Sequence, residues 1–403
     1  MIFAVLVLAY VLSQFYRAFL AVVAGDLSAD LGLDAAMLGA LSAVWFAAFA
    51  LAQIPVGFAL DRLGPRRTIA LPLLLAVAGA VLLATASGYA QALAAMALIG
   101  LGCSSVLMGG LYLFARAADA HRFAARAAAL LGLGNLGNLL SATPLALATE
   151  AIGWRASLGT IAGITLLAAL LVALVVRDPP PVAPDEARGS GGFLGGLRRI
   201  LAIRGLWPVL PLVAVGYAVV IAERSLWIAP FFRDVHGFSL AQTGNAALLM
   251  AAAMAAGAFA YAPLERLVGE AKRTALLGSL VTAASFLALG AFGHTSAALA
   301  LGLVAIAGFA GLTYGVLMEH ARLFFPPDLI GRGVTFLNLV FIGGAGILQW
   351  LSGRVVREGL AAAGPEPTFA ALHLGFGALL LGACLVYGIA PSRPKAPGAA
   401  TLR

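Results

Sequence analysis

The sequence predicts an all-α membrane protein with twelve transmembrane helices arranged as two pseudo-symmetric six-helix bundles. The composition is 62% hydrophobic and only 10% charged, with a mean hydropathy of +1.01, which is far outside the range of soluble domains. Apolar runs long enough to cross a bilayer, which takes about 20 residues, recur along the whole chain. The polar stretches between these runs are short, except for one near the middle that divides the chain into halves.

The apolar runs define the predicted spans and the domain limits. The spans cover roughly residues 2–24, 35–60, 69–87, 91–117, 124–149, 154–176, 207–232, 240–262, 273–291, 295–322, 330–356 and 367–391. The domains are a bundle at 1–176, a cytoplasmic linker at 177–206 that is rich in proline and glycine, a bundle at 207–391 and a cytoplasmic tail at 392–403. The first span begins at Ile2 without a cleavage signature, so we expect it to be retained.

The sequence lacks the common enzymatic signatures, so we expect no enzyme activity, no cofactor and no metal site. It has no G-x-x-x-x-G-K-[ST] phosphate loop, and its His, Cys and carboxylate residues show no metal-ligand spacing. The glycines at 132–137 partly imitate a dinucleotide fingerprint, but they lie within a predicted span. The two cysteines, Cys103 and Cys384, also lie in spans, so no disulfide framework is expected.

The net charge of +8 comes mainly from lysines and arginines in the short loops. If the N-terminus is cytoplasmic, most of these 25 residues lie in inner loops, and only Arg155, Arg233, Arg354 and Arg357 lie in outer loops. Cytoplasmic loops typically carry such an excess. The pattern therefore predicts cytoplasmic termini, and it explains the charge better than nucleic-acid binding does.

A polar loop occurs twice, between the second and third spans of each half. LDRLGPRRT at 60–68 has a counterpart in LERLVGEAKRT at 264–274. With the residues before it, GFALDRLGPRRT resembles the signature loop of the major facilitator superfamily, whose usual form is G-x-x-x-D-R-x-G-R-R. The span number, the central linker and GWR at 153–155 extend the resemblance to the whole chain. It implies that superfamily's fold of two parallel six-span repeats.

The resemblance also implies gating roles for the charged residues of both loops. By analogy, Asp61 contacts the start of span eleven near residues 331–333, where a helix N-terminus favours a carboxylate. The expected gating residues are Asp61, Arg62, Arg66, Arg67, Glu265 and Arg266. The alternative is that the arginines are ordinary anchors on the positive inner side.

Two departures from the superfamily's patterns argue against multidrug export. Met96 stands where the motif of the fourth span normally carries an arginine. The fifth span, GLGNLGNLLSATP at 132–144, is glycine-rich but lacks the G-P-x-x-G-G pattern typical of drug/proton antiporters.

Two arginines lie inside predicted spans, at comparable places in the two halves. Arg17 and Arg224 follow Tyr10 and Tyr217 by the same seven residues, so each pair shares one face of a regular α-helix. An intramembrane arginine is costly unless it faces a partner or a water-filled cavity. We interpret the two as an anion-binding centre where the halves meet. They resemble the arginines of organophosphate/phosphate exchangers and related organic-anion transporters, which hold the phosphate or carboxylate of the substrate.

Other polar and aromatic side chains are expected to line this centre. Gln14 shares the polar face of Arg17, and Trp227 offers an apolar wall near Arg224. The predicted substrate-binding residues are Arg17, Arg224, Tyr10, Tyr217, Gln14, Trp227, Asn138 and Asn338. The alternatives are a static ion pair between Arg17 and Glu223, tyrosines that only pack, and asparagines that make hydrogen bonds between helices.

Three ionisable residues are candidates for proton coupling. Glu223 is the acidic residue placed deepest in a span, and an ionised Glu223 lowers the positive charge of the site, which favours a monoanion over a dianion. Glu319 and His320 lie near the cytoplasmic end of span ten. A histidine can titrate near neutral pH, although both residues could also be interfacial.

These patterns predict a secondary transporter that moves a small organic anion by alternating access, through proton symport or anion exchange. A carboxylate is favoured over a phosphorylated solute. The expected partners are the anion, protons or a counter-anion, and membrane lipid, and the expected form is a monomer in a bacterial inner membrane. One alternative is proton-coupled efflux of drugs or amphipathic metabolites, for which the arginines are dispensable. The other is a receptor or scaffold without transport, which has little need for buried charges in both halves.

Overall fold

The computed structural model describes residues 1–117, 126, 129–178, 198–326 and 329–392. Within these ranges, the side chains of residues 54, 58, 61, 115–117, 330–332 and 335 are not described. Most of the predicted linker and tail, at 179–197 and 393–403, therefore lies outside the description. The described residues form helices and turns with no β-strand among them, which confirms the all-α prediction.

Before the linker, the helices follow the apolar runs closely. Their bounds are α1 Ile2–Ala18, α2 Leu20–Leu31, α3 Ala35–Ala84, α4 Tyr89–Cys103, α5 Val106–Ala117, α6 Leu136–Leu140 and α7 Thr143–Val175. Gly64 and Gly153 break α3 and α7, since their φ angles of 77° and 78° lie in the left-handed region that glycine tolerates best.

After the linker, one span contains an irregular segment. The bounds are a short 3₁₀ turn Arg204–Leu206, α8 Leu210–Ala222, a π-helical turn Glu223–Trp227, α9 Ile228–His236, α10 Leu240–Val268, α11 Ala271–Phe292, α12 Ala297–Ala310, α13 Tyr314–Arg322, α14 Ile330–Ala363 and α15 Pro365–Gly388. We refer to Glu223–Trp227 as the π turn.

The number of spans agrees with the predicted twelve. In the described chain, 10 helical stretches are long and apolar enough to cross a membrane, and α1 with α2 forms one more as a pair bent by 52°. The stretch Ala129–Val175 has 47 residues, about twice the ~20 that one span needs. Because the chain turns at Gly153, this stretch supplies two spans.

The turn at Gly153 is fixed by the two residues that follow it. The indole N–H of Trp154 donates to the Asp30 carboxylate at 2.9 Å. The guanidinium of Arg155 donates to the carbonyl of Ala86 at 3.1 Å and lies over the Trp154 ring. The GWR sequence therefore joins the part of α7 that follows Gly153 to the ends of α2 and α3.

The described residues group into two compact units. The first comprises those within Met1–Arg188, Ile221–Ala252 and Gly346–Leu372, and the second those within Gly189–Val220, Ala253–Ala345 and His373–Arg403. The first unit therefore includes residues from both sides of the linker. The division into bundles at the predicted limits stays a prediction.

Apolar packing of α1 against α3, α5 and α7 forms a core in the first unit. Its buried members include Leu6, Leu73, Phe114 and Val172. In the second unit, Lys272 stabilises the end of α15, because its ammonium group donates to the carbonyls of Gly388 and Ala390 at 2.9 and 2.6 Å. Carbonyls at a helix C-terminus have no partner within the helix.

Candidate functional site

Three elements of the first unit carry most of the predicted substrate-binding residues: α1, α6 and the π turn. α6 packs tightly on α1, since a Cβ added at Gly137 would meet the backbone of Val11 and Phe15. One added at Gly134 would meet the ring of Tyr10. α1 also contacts the π turn. Glycine at these two positions thus allows the helix that carries Arg17 to lie directly against α6.

Arg224 is fully buried and is held by the end of α6. Its Nη2 donates to the backbone carbonyl of Asn138 at 2.5 Å and to the hydroxyl of Ser141 at 3.2 Å. The amide of Asn138 donates to Asn135 at 3.2 Å. Asn138 therefore contacts Arg224 through its backbone carbonyl, and its role in substrate binding stays a prediction.

Arg17 is half-buried and is held by aromatic rings. Its guanidinium carbon lies 5.7 Å from the ring centroid of Trp45 and 5.4 Å from that of Phe49. Each such contact contributes roughly 0.5–2 kcal/mol, depending on desolvation. The Nε of Arg17 is buried and has no hydrogen-bond partner among the described residues. Stacking holds the charge in place, and this N–H remains available to an acceptor.

The π turn places Glu223 beside Arg224, and both side chains are fully buried. A π-helical segment has i→i+5 hydrogen bonds and frequently occurs at functional sites. It also rotates the side chains away from their α-helical positions. The regular helix that predicted a common face for Tyr217 and Arg224 ends at Ala222.

Trp227 ends the π turn and belongs to the first unit. Its indole N–H donates to the hydroxyl of Ser352 on α14 at 2.8 Å, and its ring packs at 6.4 Å from that of Phe369. These two contacts fix the position of the side chain, and its role as an apolar wall of the site stays a prediction.

A buried polar cluster beside the arginines was missed by the sequence-based reasoning. Gln349 on α14 accepts a hydrogen bond from Ser42 on α3, and its Oε1 lies 3.5 Å from the hydroxyl of Ser225 in the π turn. Ser42 lies one helical turn before Trp45, and Ser225 follows Arg224 directly. The available signal was the amide of Gln349 within the apolar run of span eleven, where only the amide of Asn338 was singled out from the sequence.

The remaining predicted substrate-binding residues divide between the units. Tyr10 and Gln14 are buried on α1 in the first unit, and the Oε1 of Gln14 has no partner within the described ranges. Tyr217 and Asn338 belong to the second unit. There, Tyr217 stacks on Phe341 with centroids 4.5 Å apart.

Of the other two proton-coupling candidates, only His320 is buried. One of its ring nitrogens lies 2.8 Å from the hydroxyl of Tyr387, and the other lies 3.1 Å from the carbonyl of Pro391. Glu319, the preceding residue, is exposed. His320 thus joins α13 to the end of α15 in the second unit.

The gating residues of the first loop lie around the turn at Gly64. The backbone N–H of Arg66 donates to the carboxylate of Asp178 at 2.7 Å, and a Cβ added at Gly64 would meet this carboxylate. Arg62, Arg66 and Arg67 have exposed side chains. The predicted contact of Asp61 with residues 331–333 falls on side chains outside the description.

The gating residues of the second loop line a polar cavity. Glu265 is half-buried and Arg266 is exposed, and both line a cavity of about 960 Å³ together with Lys272, Glu319 and His320. The residues that line this cavity all belong to the second unit.

Comparison with known proteins identifies the family. The model of the Major Facilitator Superfamily matches residues 6–349. The chain belongs to this superfamily. Its members are transporters and not enzymes, so the chain is a multi-pass membrane transporter. No curated protein matches it.

Several solved structures of the superfamily share the fold. A bacterial homologue of the human lysosomal transporter Spinster, inward-facing and occupied, has a TM-score of 0.76 and 20% identity over 96% of each chain. The same homologue in its unoccupied conformation has a TM-score of 0.73 and 20% identity over 96% of this chain and 94% of that one. A D-xylose–proton symporter has a TM-score of 0.80 and 16% identity, covering 97% of this chain and 98% of that one. At these identities the similarity shows the fold, while the substrate has to be inferred from the site.

Proposed function

We propose that this transporter moves a small organic anion, with a carboxylate favoured over a phosphorylated solute. The observation that carries the proposal is the state of Arg17. Its charged side chain lies in a predicted span, is held by two aromatic rings, and has a buried Nε without a hydrogen-bond partner in the described part of the chain. An intramembrane cation of this kind is typical of a substrate pathway.

Arg224 adds a second, fixed positive charge in the same unit. A planar guanidinium can bind a carboxylate or phosphate through two parallel hydrogen bonds. Glu223, buried next to Arg224, reduces the net positive charge when it is ionised. A monoanion suits the remaining charge better than a dianion does, and for this reason we favour a carboxylate.

The transport cycle follows the alternating access expected for this fold. The anion binds at the arginines, and transport is coupled to protons through Glu223, Glu319 or His320, or to exchange against another anion. The charged loops at Asp61 and Glu265 make and break contacts at the cytoplasmic gate. The protein functions as a monomer in a bacterial inner membrane, with both termini in the cytoplasm.

The first experiment measures binding to purified protein by thermal shift. A ligand that binds the folded state raises the melting temperature by mass action. At a ligand concentration 100 times Kd, the free energy of unfolding increases by roughly 2.7 kcal/mol. We expect one class among mono-, di- and tricarboxylates, phosphate and sugar phosphates to give such a shift. Arg17→Ala removes a cation that contacts the substrate, so we expect it to abolish the shift.

Arg354→Ala is the matched control for this experiment. Arg354 also lies over an indole ring, that of Trp350, at 4.3 Å, but its side chain is exposed. Its removal should leave the anion-dependent shift intact. If Arg17→Ala kept the full shift, or if no anion shifted the wild-type protein, the arginines would be structural and apolar cargo would be favoured instead.

A further inference from the structure

Two buried N–H groups beside the arginine site have no acceptor among the described residues. They are the indole Nε1 of Trp45 and the amide Nε2 of Gln349, on side chains with exposed fractions of 1% and 0%. Buried donors without acceptors are destabilising, and they are uncommon in native structures. Both lie outside the set of residues predicted to bind substrate.

The contacts of both side chains place them next to the arginines. The ring of Trp45 lies 5.7 Å from the guanidinium carbon of Arg17. One helical turn earlier, Ser42 donates to the Oε1 of Gln349. The Oε1 of Gln349 also lies 3.5 Å from the hydroxyl of Ser225, and Ser225 is the residue after Arg224.

The hydrogen bonds of Gln349 determine which group of its side-chain amide can bind a ligand. Its oxygen accepts from the hydroxyl of Ser42, so its polar contact to a ligand is made by the NH₂ group. The indole of Trp45 can only donate. Two neutral donors beside two cations fit a solute with a carboxylate and a further oxygen acceptor close to it.

We propose that Trp45 and Gln349 bind an oxygen on the carbon next to the substrate carboxylate, so that the substrate is a 2-oxo or 2-hydroxy monocarboxylate. This inference rests on the proposed function, in which Arg17 and Arg224 bind the carboxylate itself. The rings of Trp45 and Phe49 form the apolar wall against which the rest of a small acid packs.

Three acids of equal carbon number test the inference: pyruvate, lactate and propionate. They share the carboxylate and differ only in the oxygen on the neighbouring carbon. We expect the purified full chain to bind pyruvate or lactate at least about tenfold more tightly than propionate, because a site built to donate hydrogen bonds rejects an analogue that lacks the acceptor. Titrations by thermal shift give the three dissociation constants.

Two conservative variants separate this contact from carboxylate binding. Trp45→Phe keeps a ring over Arg17 and removes the indole N–H, and Gln349→Met keeps the volume and removes the amide. In each variant, we expect the preference for pyruvate or lactate over propionate to fall by about fivefold or more. The affinity for propionate should change by less than about twofold. If Trp45 and Gln349 had a merely structural role, their substitution would lower the affinity for all three acids together.

Matched controls lie elsewhere in the first unit. Trp350→Phe alters another tryptophan that an arginine covers. Gln53→Met removes an amide that donates to the carbonyl of Ser104 at 3.1 Å. Neither variant should change the preference among the acids.

Each outcome supports or overturns a definite part of the inference. Equal binding of the three acids by the wild-type protein, or binding of none, would overturn the substrate class. A preference that survives in both Trp45→Phe and Gln349→Met would overturn the roles of these residues. Failure of the proposed function is distinguishable, because either no anion of any class would then bind the wild-type protein, or Arg17→Ala would retain its binding of every carboxylate.

Discussion

The two intramembrane arginines have the same side chain but different surroundings, and this sets their roles. Arg224 is bonded to the Asn138 carbonyl and the Ser141 hydroxyl, so its position is fixed by α6. Among the described residues, Arg17 is held by the broad attraction of two rings, which leaves its orientation adjustable. We infer that Arg224 supplies a fixed charge and that Arg17 adjusts to the bound anion.

The fixed position of Arg224 can be tested through Ser141. Ser141→Ala removes the hydroxyl that accepts from Nη2 at 3.2 Å. Because a hydrogen bond to a charged group is worth about 1.5–3 kcal/mol, we expect a lower melting temperature and weaker anion binding. The measurement is the melting temperature with and without the anion.

Ser285→Ala is the control for Ser141→Ala. Ser285 is also buried, but its hydroxyl donates within its own helix, to the carbonyl of Val281 at 2.8 Å. Its loss should have a smaller effect on stability and none on anion binding. Equal effects of the two substitutions on binding would argue against a positioning role for Ser141.

At the scale of the helices, irregular backbone positions the site. The π turn presents Glu223 and Arg224 in a geometry that a regular helix does not provide. Glycines at 134 and 137 let α6 approach α1, so that Tyr10 and Gln14 are buried there. Small residues serve membrane helices in the same way when they pack closely.

Because α6 lies so close to α1, we expect one added methyl group at Gly137 to lower the stability of the protein strongly. In Gly137→Ala the added Cβ would meet the backbone of Val11, which cannot move aside as a flexible side chain would. Overpacking of this kind costs typically 1–3 kcal/mol. We expect a lower melting temperature and impaired anion binding, both measurable by thermal shift.

Gly159→Ala is the control for Gly137→Ala, because it adds the same methyl group at a position with open space around it. Gly159 lies within α7, and a Cβ there meets nothing within 4 Å. Because alanine favours helix over glycine by about 0.5–1 kcal/mol, this control should melt at the same temperature or slightly higher. If Gly137→Ala behaved like Gly159→Ala, the packing of α6 on α1 would be looser than described.

At the scale of the whole molecule, contacts within the first unit join segments from both sides of the linker. At the start of α7, the hydroxyl of Thr143 donates to Asn245 on α10 at 2.8 Å. Glu150 accepts the backbone N–H of Ala241, at the N-terminus of α10, at 3.0 Å. A helix N-terminus favours such a carboxylate. Under the proposed alternating access, these contacts separate in each cycle.

A reversible cross-link at this contact tests the cycle. We expect the double variant Thr143→Cys, Asn245→Cys to form a disulfide under oxidation and to lose anion transport, because the two segments can no longer separate. Transport should return after reduction. The native cysteines are buried, so they should contribute little background.

The single variants Thr143→Cys and Asn245→Cys are the controls for the cross-link. Each should transport equally well before and after oxidation. Full transport by the cross-linked double variant would contradict the proposed movement at this contact.

A feature of the structure can be predicted from the sequence when the residues that determine it lie close together along the chain. Hydropathy within about 20 residues predicted the spans, and Gly64 and Gly153 mark turns between spans because of their backbone freedom. The two arginines stood out because a cation in an apolar run is rare. The bond from Asp178 to Arg66 was not predictable, since nothing in either local sequence indicates the other.

The sequence by itself indicated the family, through the polar loop that occurs in both halves. It also determined the twelve helical spans and the presence of two intramembrane cations, because burial of apolar surface and the cost of membrane charge act on each segment separately. Only the tertiary structure decided the surroundings of those cations: Trp45 and Phe49 beside Arg17, the end of α6 bonded to Arg224, and Gln349 bonded to Ser42 and close to Ser225. The π turn, too, was seen only in the structure. These contacts join residues far apart along the chain, and their geometry follows from how the helices pack together, which local periodicity does not encode.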